Sequence, residues 1–308
     1  MASSTASTFL LSAADVSWGT RECYTVKVND LAADLDGEHF LIDALSSNFG
    51  SNVEYYAWFS DGVAADPAPA GKTSITLDIS GDTSEADVAA TMVSTFEAHP
   101  NFRAKLDPAD SSNQTVIIEA EFKGAVTNQA ADVDSLVTIT RQREGLGGDL
   151  GKTSGGVEIS LETQSAQILS DQTGQLVLDE FYTGQTAEVT VSLLEMTPER
   201  FKTVVGSVTG DSYTPGGGTE LTGFGESRLY SSFFDLGGEL VLHPSRFAAS
   251  DKSRDVTLFK SVPKPASLNF SGEDPQVLEV TFTALLDSEV QDSINLLAFG
   301  DSSQDVRA

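Results

Sequence analysis

Cysteine is nearly missing from this chain: Cys23 is the single one in 308 residues. One thiol excludes an intrachain disulfide and any zinc site built on paired cysteines. Cys23 stands in the strand-like run Cys-Tyr-Thr-Val-Lys-Val with no histidine close in sequence, so it reads as a buried structural thiol and not a nucleophile. Histidine is also scarce. His39, His99 and His243 show no metal-ligand spacing, and His99 closes a predicted helix, where a cation is favoured anyway. No apolar run reaches the ~20 residues of a membrane-spanning helix, so no membrane is expected as a partner. Residues 1–8 are rich in Ser, Thr and Ala and lack a basic segment. They are expected to be a short flexible arm and not a secretory signal.

Positive charge is the other shortage. Lys and Arg number 18 against 46 Asp and Glu, a formal net charge of −28. Such a chain has no general surface for neutralising phosphates and repels DNA over about a Debye length. The acidity fits solubility or a saline setting, and it fits equally a surface kept from sticking to a polyanion. It is spread along the chain: residues 20–146 hold 21 acids and 8 bases, the remainder 25 and 10.

Catalytic and cofactor signatures are missing too. Gly151-Lys-Thr resembles the end of a phosphate-binding loop, but the glycines before it are wrongly spaced and a strand follows where a helix is required. No Gly-x-Ser-x-Gly elbow occurs. Asp107-Pro-Ala-Asp110 and Gly81-Asp82 are weak calcium-loop candidates that do not match the spaced-ligand pattern. The expectation is a chain that is no enzyme and carries no cofactor or metal.

What is present is a succession of short β-patterned runs between turn residues. In the first half these are 8–12, 15–20, 24–28, 40–43, 54–59, 75–79, 102–106, 115–122 and 136–140. One helix interrupts them. Ser84 is its N-cap, Glu85 and Asp87 fall in its first turn, Val88, Met92, Val93 and Phe96 share a face, and Pro100 marks the stop. Residues 21–145 therefore form a small α+β unit with one helix on a sheet.

After the glycine-rich stretch 145–156 the strands lengthen and alternate strictly. Val157, Ile159 and Leu161 oppose Glu158, Ser160 and Glu162; Val189, Val191 and Leu193 oppose Glu188, Thr190 and Ser192; Leu278, Val280, Phe282 and Ala284 oppose Glu279, Thr281 and Thr283. Strands of this kind have one buried and one solvated face, as in antiparallel sheets. A short helix is expected from Thr197 as N-cap and Pro198 at the first helical position to Gly206 as terminator. Residues 210–225, with Tyr213 and Pro215-Gly216-Gly217-Gly218, read as a long exposed loop.

The order of pieces over 156–287 resembles the major tail-tube proteins of tailed bacteriophages. The carriers are Lys152-Thr-Ser-Gly-Gly-Val-Glu158 into a strand, the turn Ser170-Asp-Gln-Thr-Gly174, and Leu178-Asp-Glu-Phe-Tyr-Thr-Gly184. The strand–helix unit from Ala187 to Gly206, Leu240-Val-Leu-His-Pro244, the run 255–263 and the run 277–284 complete the series. In that family the opening strand runs almost directly into the Gly-Gly-Val strand. Here 9–19 and that strand lie far apart, which implies a domain placed in the first loop. The segment 21–145 itself is similar to an accessory domain of other phage structural proteins.

The resemblance implies a mainly β fold: a tail-tube β-sandwich or barrel with a flanking short helix, formed by 1–20 and 146–308. The inserted α+β accessory domain is 21–145. It further implies a virion tail protein assembled in the host cytoplasm. Hexameric symmetry belongs to the same implication: rings stack into a tube through which DNA passes without specific binding. Partners would be further copies of the chain, the tape measure, terminator and baseplate, and a sheath if the tail contracts. Glu158, Glu162, Glu188 and Glu279 are then candidate lumen acids. The N-terminal arm, the loop with Tyr213 and Pro215–Gly218, and residues 288–308 are candidate ring-to-ring contacts. Two alternatives stand beside this reading: another virion part, such as a tail terminator, baseplate or decoration protein, and a carbohydrate-binding or adhesin-like module using an exposed Tyr55, Tyr56 and Trp58 cluster, although their place in a strand favours a core role for these rings.

Overall fold

The computed structural model describes residues 2–11, 13–29, 32–47, 51–128, 130–132, 137–170, 176–194, 197–201, 203–204, 210–213, 221–224, 230, 232–269, 277–288, 290 and 294–302. In chain order the elements begin with β1 (Ala2–Leu11), β2 (Ala14–Val28), α1 (Ala32–Leu35), β3 (His39–Leu45), β4 (Asn52–Ser60) and β5 (Thr73–Asp78). Next come α2 (Glu85–Glu97), β6 (Phe102–Leu106), β7 (Thr115–Lys123), β8 (Ala131–Asp132), β9 (Val137–Arg143), β10 (Leu146–Ser170) and β11 (Leu176–Leu193). The rest are α3 (Pro198–Phe201), β12 (Gly210–Tyr213), β13 (Leu221–Phe224), β14 (Gly238–Pro244), β15 (Val256–Asn269), β16 (Val277–Ala284) and β17 (Ala298–Phe299). The protein is mainly β. Its contacts divide it into two compact units: Met1–Trp18 with Asp149–Ala308, and Gly19–Gly148.

In the first unit the strands lie in the order β1-β10-β11-β16-β15-β14-β2, and β2 also pairs with β10, so the path returns on itself. The alternation read from sequence supplies the interior. Val157, Ile159, Val189, Val191, Leu193, Leu278, Val280 and Phe282 are buried, with Val16 and Trp18 from β2 and Leu240, Leu242, Val256 and Leu258 from β14 and β15. The Trp18 indole N–H is satisfied at the Ser261 carbonyl, 3.2 Å away. Burying each such side chain contributes roughly 1.5–3 kcal/mol.

Several expectations are corrected here. Residues 2–8 are not a free arm: the strand read at 8–12 already begins at Ala2. Its backbone pairs with β10 from Leu11 opposite Val157 to Ala2 opposite Ala166. The open edge of β10 offers a partner for every main-chain group, and Ser and Thr tolerate a strand without an apolar pattern to announce it. The glycine-rich stretch belongs to a strand, because β10 already starts at Leu146. Positive φ at Gly147, Gly148, Gly151, Gly155 and Gly156 lets that strand bend. Gly151-Lys152-Thr153 lies inside it, and the buried Thr153 hydroxyl takes the Ala14 N–H. The 210–225 stretch contains a hairpin, β12 against β13, with Tyr213 opposite Leu221; Pro215 to Gly218 lie outside the described residues. The C-terminal stretch is docked in part: β17 pairs with Val256 and Thr257 of β15, and Val290 is buried. The helix capped by Thr197, whose hydroxyl accepts the Arg200 N–H, is described only over Pro198–Phe201. Gly206 lies outside the described residues.

In the second unit two sheets enclose a core with α2. One has the order β9-β2-β7-β6, the other β5-β4-β3-β8, with β4 and β5 parallel. The reading of one helix on one sheet thus missed the second sheet. α2 begins as its sequence predicts. The Ser84 hydroxyl accepts the Asp87 N–H, and Val88, Ala89, Met92 and Phe96 are buried against Phe40, Phe59, Phe102 and Ile118. Val93 is only partly buried.

The ends of this unit are close-packed main chain. A Cβ at Gly19, which has φ 143°, would stand 1.9 Å from the Leu146 carbonyl oxygen, and one at Gly145 would stand 1.9 Å from that of Gly124. Beside them Glu22, 1% exposed, accepts from Arg141 Nε at 2.5 Å, Arg141 Nη2 at 3.1 Å and the Gly145 N–H at 2.7 Å.

Candidate functional site

The four glutamates singled out from sequence share one outward sheet face. Glu158 lies opposite Thr190, Ser160 opposite Glu188, and Glu162 opposite Thr186 across β10 and β11. Across β11 and β16, Glu188 lies opposite Thr283, Thr190 opposite Thr281, and Ser192 opposite Glu279. Every outward position in these segments is therefore Glu, Ser or Thr. Glu158, Glu188 and Glu279 are exposed and Glu162 is half-buried. Thr283 donates to the Glu188 carboxylate at 3.3 Å, and Thr190 and Thr281 share a hydrogen bond at 3.2 Å. Hydroxyls here space the charges and tie neighbouring strands, as cross-strand pairs do.

Beyond Glu188 the strand β16 ends at Ala284, opposite nothing further on β11. The strands β1, β10 and β11 continue as a wing with Gln164 opposite Gly184, Ala166 opposite Phe181 and Ser170 opposite Leu176. From Glu162 to Ser170 it reaches about 27 Å at ~3.3 Å per residue. Register shifts leave Thr183 and Leu178 as extra residues on β11, each adding local twist. Ala166 lies in the alternating row that begins with Glu158, Ser160 and Glu162, so Phe181 and Ile168 continue the acidic face. Tyr182, opposite Ser165, continues the other. Phe181 is 50% and Tyr182 66% exposed, and Ile168, Val177 and Leu178 are also open. The Ser165 hydroxyl donates to the Glu180 carboxylate on the Tyr182 face. Sequence reasoning passed over these apolar residues because it looked for acids, although Leu178-Asp-Glu-Phe-Tyr182 lacks the alternation of its neighbours.

Among the described residues there is no group of three or more His, Cys, Asp or Glu side chains able to hold a metal. His39 and His99 lie against aromatic rings, of Tyr56 and of Tyr55 and Phe102. Burial holds His99 below its ordinary pKa. His243 Nδ1 is 2.6 Å from Asp255 Oδ1, with Nε2 facing the Phe247 carbonyl at 3.4 Å. Burial pulls the His243 pKa down, but the Asp255 hydrogen bond and charge outweigh it, so the net direction is upward. Asp255, pushed up by its own burial, is relieved in part by the same contact. The Asp110 carboxylate is occupied by its own loop, accepting from Ser112 N–H, Gln114 N–H and the Thr115 hydroxyl.

Tyr55, Tyr56 and Trp58 are buried, as their place in a strand favours, and the exposed aromatic cluster of the carbohydrate-binding alternative is not there. Their polar ends bond Asn101, Asp66 and Thr76. Among the described residues no helix is long and apolar enough to cross a membrane.

No protein-family model matches the chain, and no curated protein matches it.

Proposed function

We propose that this protein is a structural subunit that assembles with copies of itself into rings and stacked tubes, the tail tube of a bacteriophage. The observation that carries the reading is the wing. The extension, three-stranded up to Ala166 and two-stranded beyond it, leaves Ile168, Val177, Leu178, Phe181 and Tyr182 open to solvent. Small sheets without a covered apolar face are marginal in water, so such an extension belongs in a contact with a neighbour. The return of the strand path through β2 to β10 supports a closed barrel as the body of the subunit. The residues 19–148 are then a domain carried on the tube exterior.

In an assembled tube the Glu158, Glu162, Glu188 and Glu279 face is the natural wall for a passing polyanion. It presents charge of one sign and hydroxyls, and it repels DNA while holding no specific site for it. A heterologous contact, wing to a different surface, closes into a ring or propagates as a stack. Tape measure, terminator, baseplate and a sheath in a contractile tail are the further partners of this reading. Electron microscopy of the purified chain is expected to show rings or tubes; a monomer at every concentration, with no particle-associated form, refutes the proposal. Reversing the face glutamates to Lys should slow DNA ejection while assembly proceeds, and unchanged ejection removes the lumen assignment.

A further inference from the structure

We infer that the aromatic turn around Phe233 and Phe234 is the seat for the wing of a second copy, with Lys260 meeting that wing's acids. This rests on the assembly reading and names the surface that receives the wing.

Tyr230 is 100% exposed with φ 70°, and Phe233 and Phe234 are about half exposed. The Lys260 ammonium stands 3.3 Å from the Phe234 ring centroid, which fixes the cation on an aromatic platform. The turn is closed by the Gly237 N–H on the Phe234 carbonyl at 3.3 Å, and a Cβ at Gly237 would press on the Lys260 chain at 3.0 Å. On the other side the Leu285 N–H bonds the Lys260 carbonyl at 2.8 Å, which brings exposed Leu286 beside it. The turn thus presents exposed aromatic rings with Lys260 fixed on one of them and a single acid of its own, Asp235.

The wing has the complementary chemistry. From Thr153 to Glu199 the sequence contains no Lys or Arg, so all its charge is negative. Asp179 and Glu180 directly precede the exposed Phe181 and Tyr182. In a chain with 18 cations against 46 acids, a contact between copies must place its scarce cations against acids or be repelled.

Position agrees as well. Ser261 lies opposite Ala284, and Thr283 opposite Glu188, so the turn and the wing's base stand at the same end of the strands. They are separated sideways across β16 and β15, about 14 Å at ~4.8 Å per strand because the turn leads into β14. A neighbour displaced across the strands therefore brings its wing over this turn.

The test uses the full-length chain and its association measured by sedimentation and electron microscopy. Lys260→Glu and Glu180→Lys should each weaken association by about tenfold or more. Mixed one to one, they should assemble, because each wing then faces a seat of opposite charge. As a second measurement, Tyr182→Cys, on the same wing face as Glu180, mixed with Phe234→Cys should give a disulfide-linked pair of chains under mild oxidation. Wild-type assembly with both charge variants assembling equally well, and no cross-link, overturns the seat while leaving the assembly reading intact. A wild-type chain that never associates overturns both.

Discussion

Replacing Arg141 by Met should loosen the unit Gly19–Gly148 at the point where its two ends meet. Glu22 is almost wholly buried, and its carboxylate is held by both Arg141 nitrogens and the Gly145 N–H. The Glu22 hydrogen bond, followed by its charge, holds Arg141 above its ordinary pKa against the cost of burial. With Arg141 gone, a buried carboxylate keeps one N–H. Breaking a buried pair by removing one partner costs about 3–5 kcal/mol, and the guanidinium, which keeps a quarter of its exposure, places this case near 3. Amides of β2 and β9 that exchange through this opening should then exchange roughly a hundredfold faster, a change that hydrogen-exchange mass spectrometry resolves over 22–28 and 137–143. Adding Glu22→Gln removes the stranded charge while its amide oxygen still accepts from Gly145, so the double variant should recover more than half the loss. Exchange within twofold of the parent in Arg141→Met, or a double variant less stable than the single, refutes the reasoning.

Three further outcomes follow from groups placed by the structure. His243, held above its ordinary pKa of 6.5, contributes stability that is fully present below that value and is lost as pH rises through the higher folded value. Urea titrations of His243→Gln should lose that slope, and an unchanged slope means Asp255 does not hold the charged ring. His99, held below 6.5 by burial, works in the opposite direction: its stability is present above 6.5 and lost as pH falls. His99→Phe should therefore gain stability over the parent as pH is lowered from 7 to about 5. Association of a chain with charge −28 should strengthen, not weaken, between about 0.05 and 0.5 M salt, because screening relieves more repulsion than it takes from the Lys260 contact; light scattering showing the reverse would mean that opposite charges dominate the interface.

Local signals carried much of the fold. The N-cap Ser84, the apolar spacing of α2 and the uninterrupted run of β6 stand where their residues place them, because each is fixed by neighbours in sequence. The alternation of 157–161, 189–193 and 278–282 correctly separated interior from surface, since a strand's period forces that choice. What escaped notice was set by partners distant in sequence. Residues 2–7 join β1 because β10 offers an edge, and their Ser/Thr/Ala composition says nothing of it. The glycines of 147–156 bend a strand, which composition alone does not announce. The separate sheet β5-β4-β3-β8 depends on pairings between strands far apart in the chain, which no local pattern specifies.

The acidic face and the wing differ in what they can decide. Among 64 charged residues 46 are acids, so four outward charges drawn from this composition are all acidic about one time in four. A row of glutamates is thus close to what the composition alone supplies, and it fits a soluble acidic surface as readily as a tube wall. Composition makes no such provision for the wing. An acidic chain gains nothing by extending about 27 Å of strand beyond its core with aromatic and aliphatic side chains open on both faces. Each of those side chains forfeits part of the ~1.5–3 kcal/mol that burial yields, and the exposed strands invite edge pairing with other chains. On the proposed reading a neighbour covers these side chains. The acidic face is then a wall only in a ring that the wing builds, and the order of experiments follows: association first, then passage of DNA.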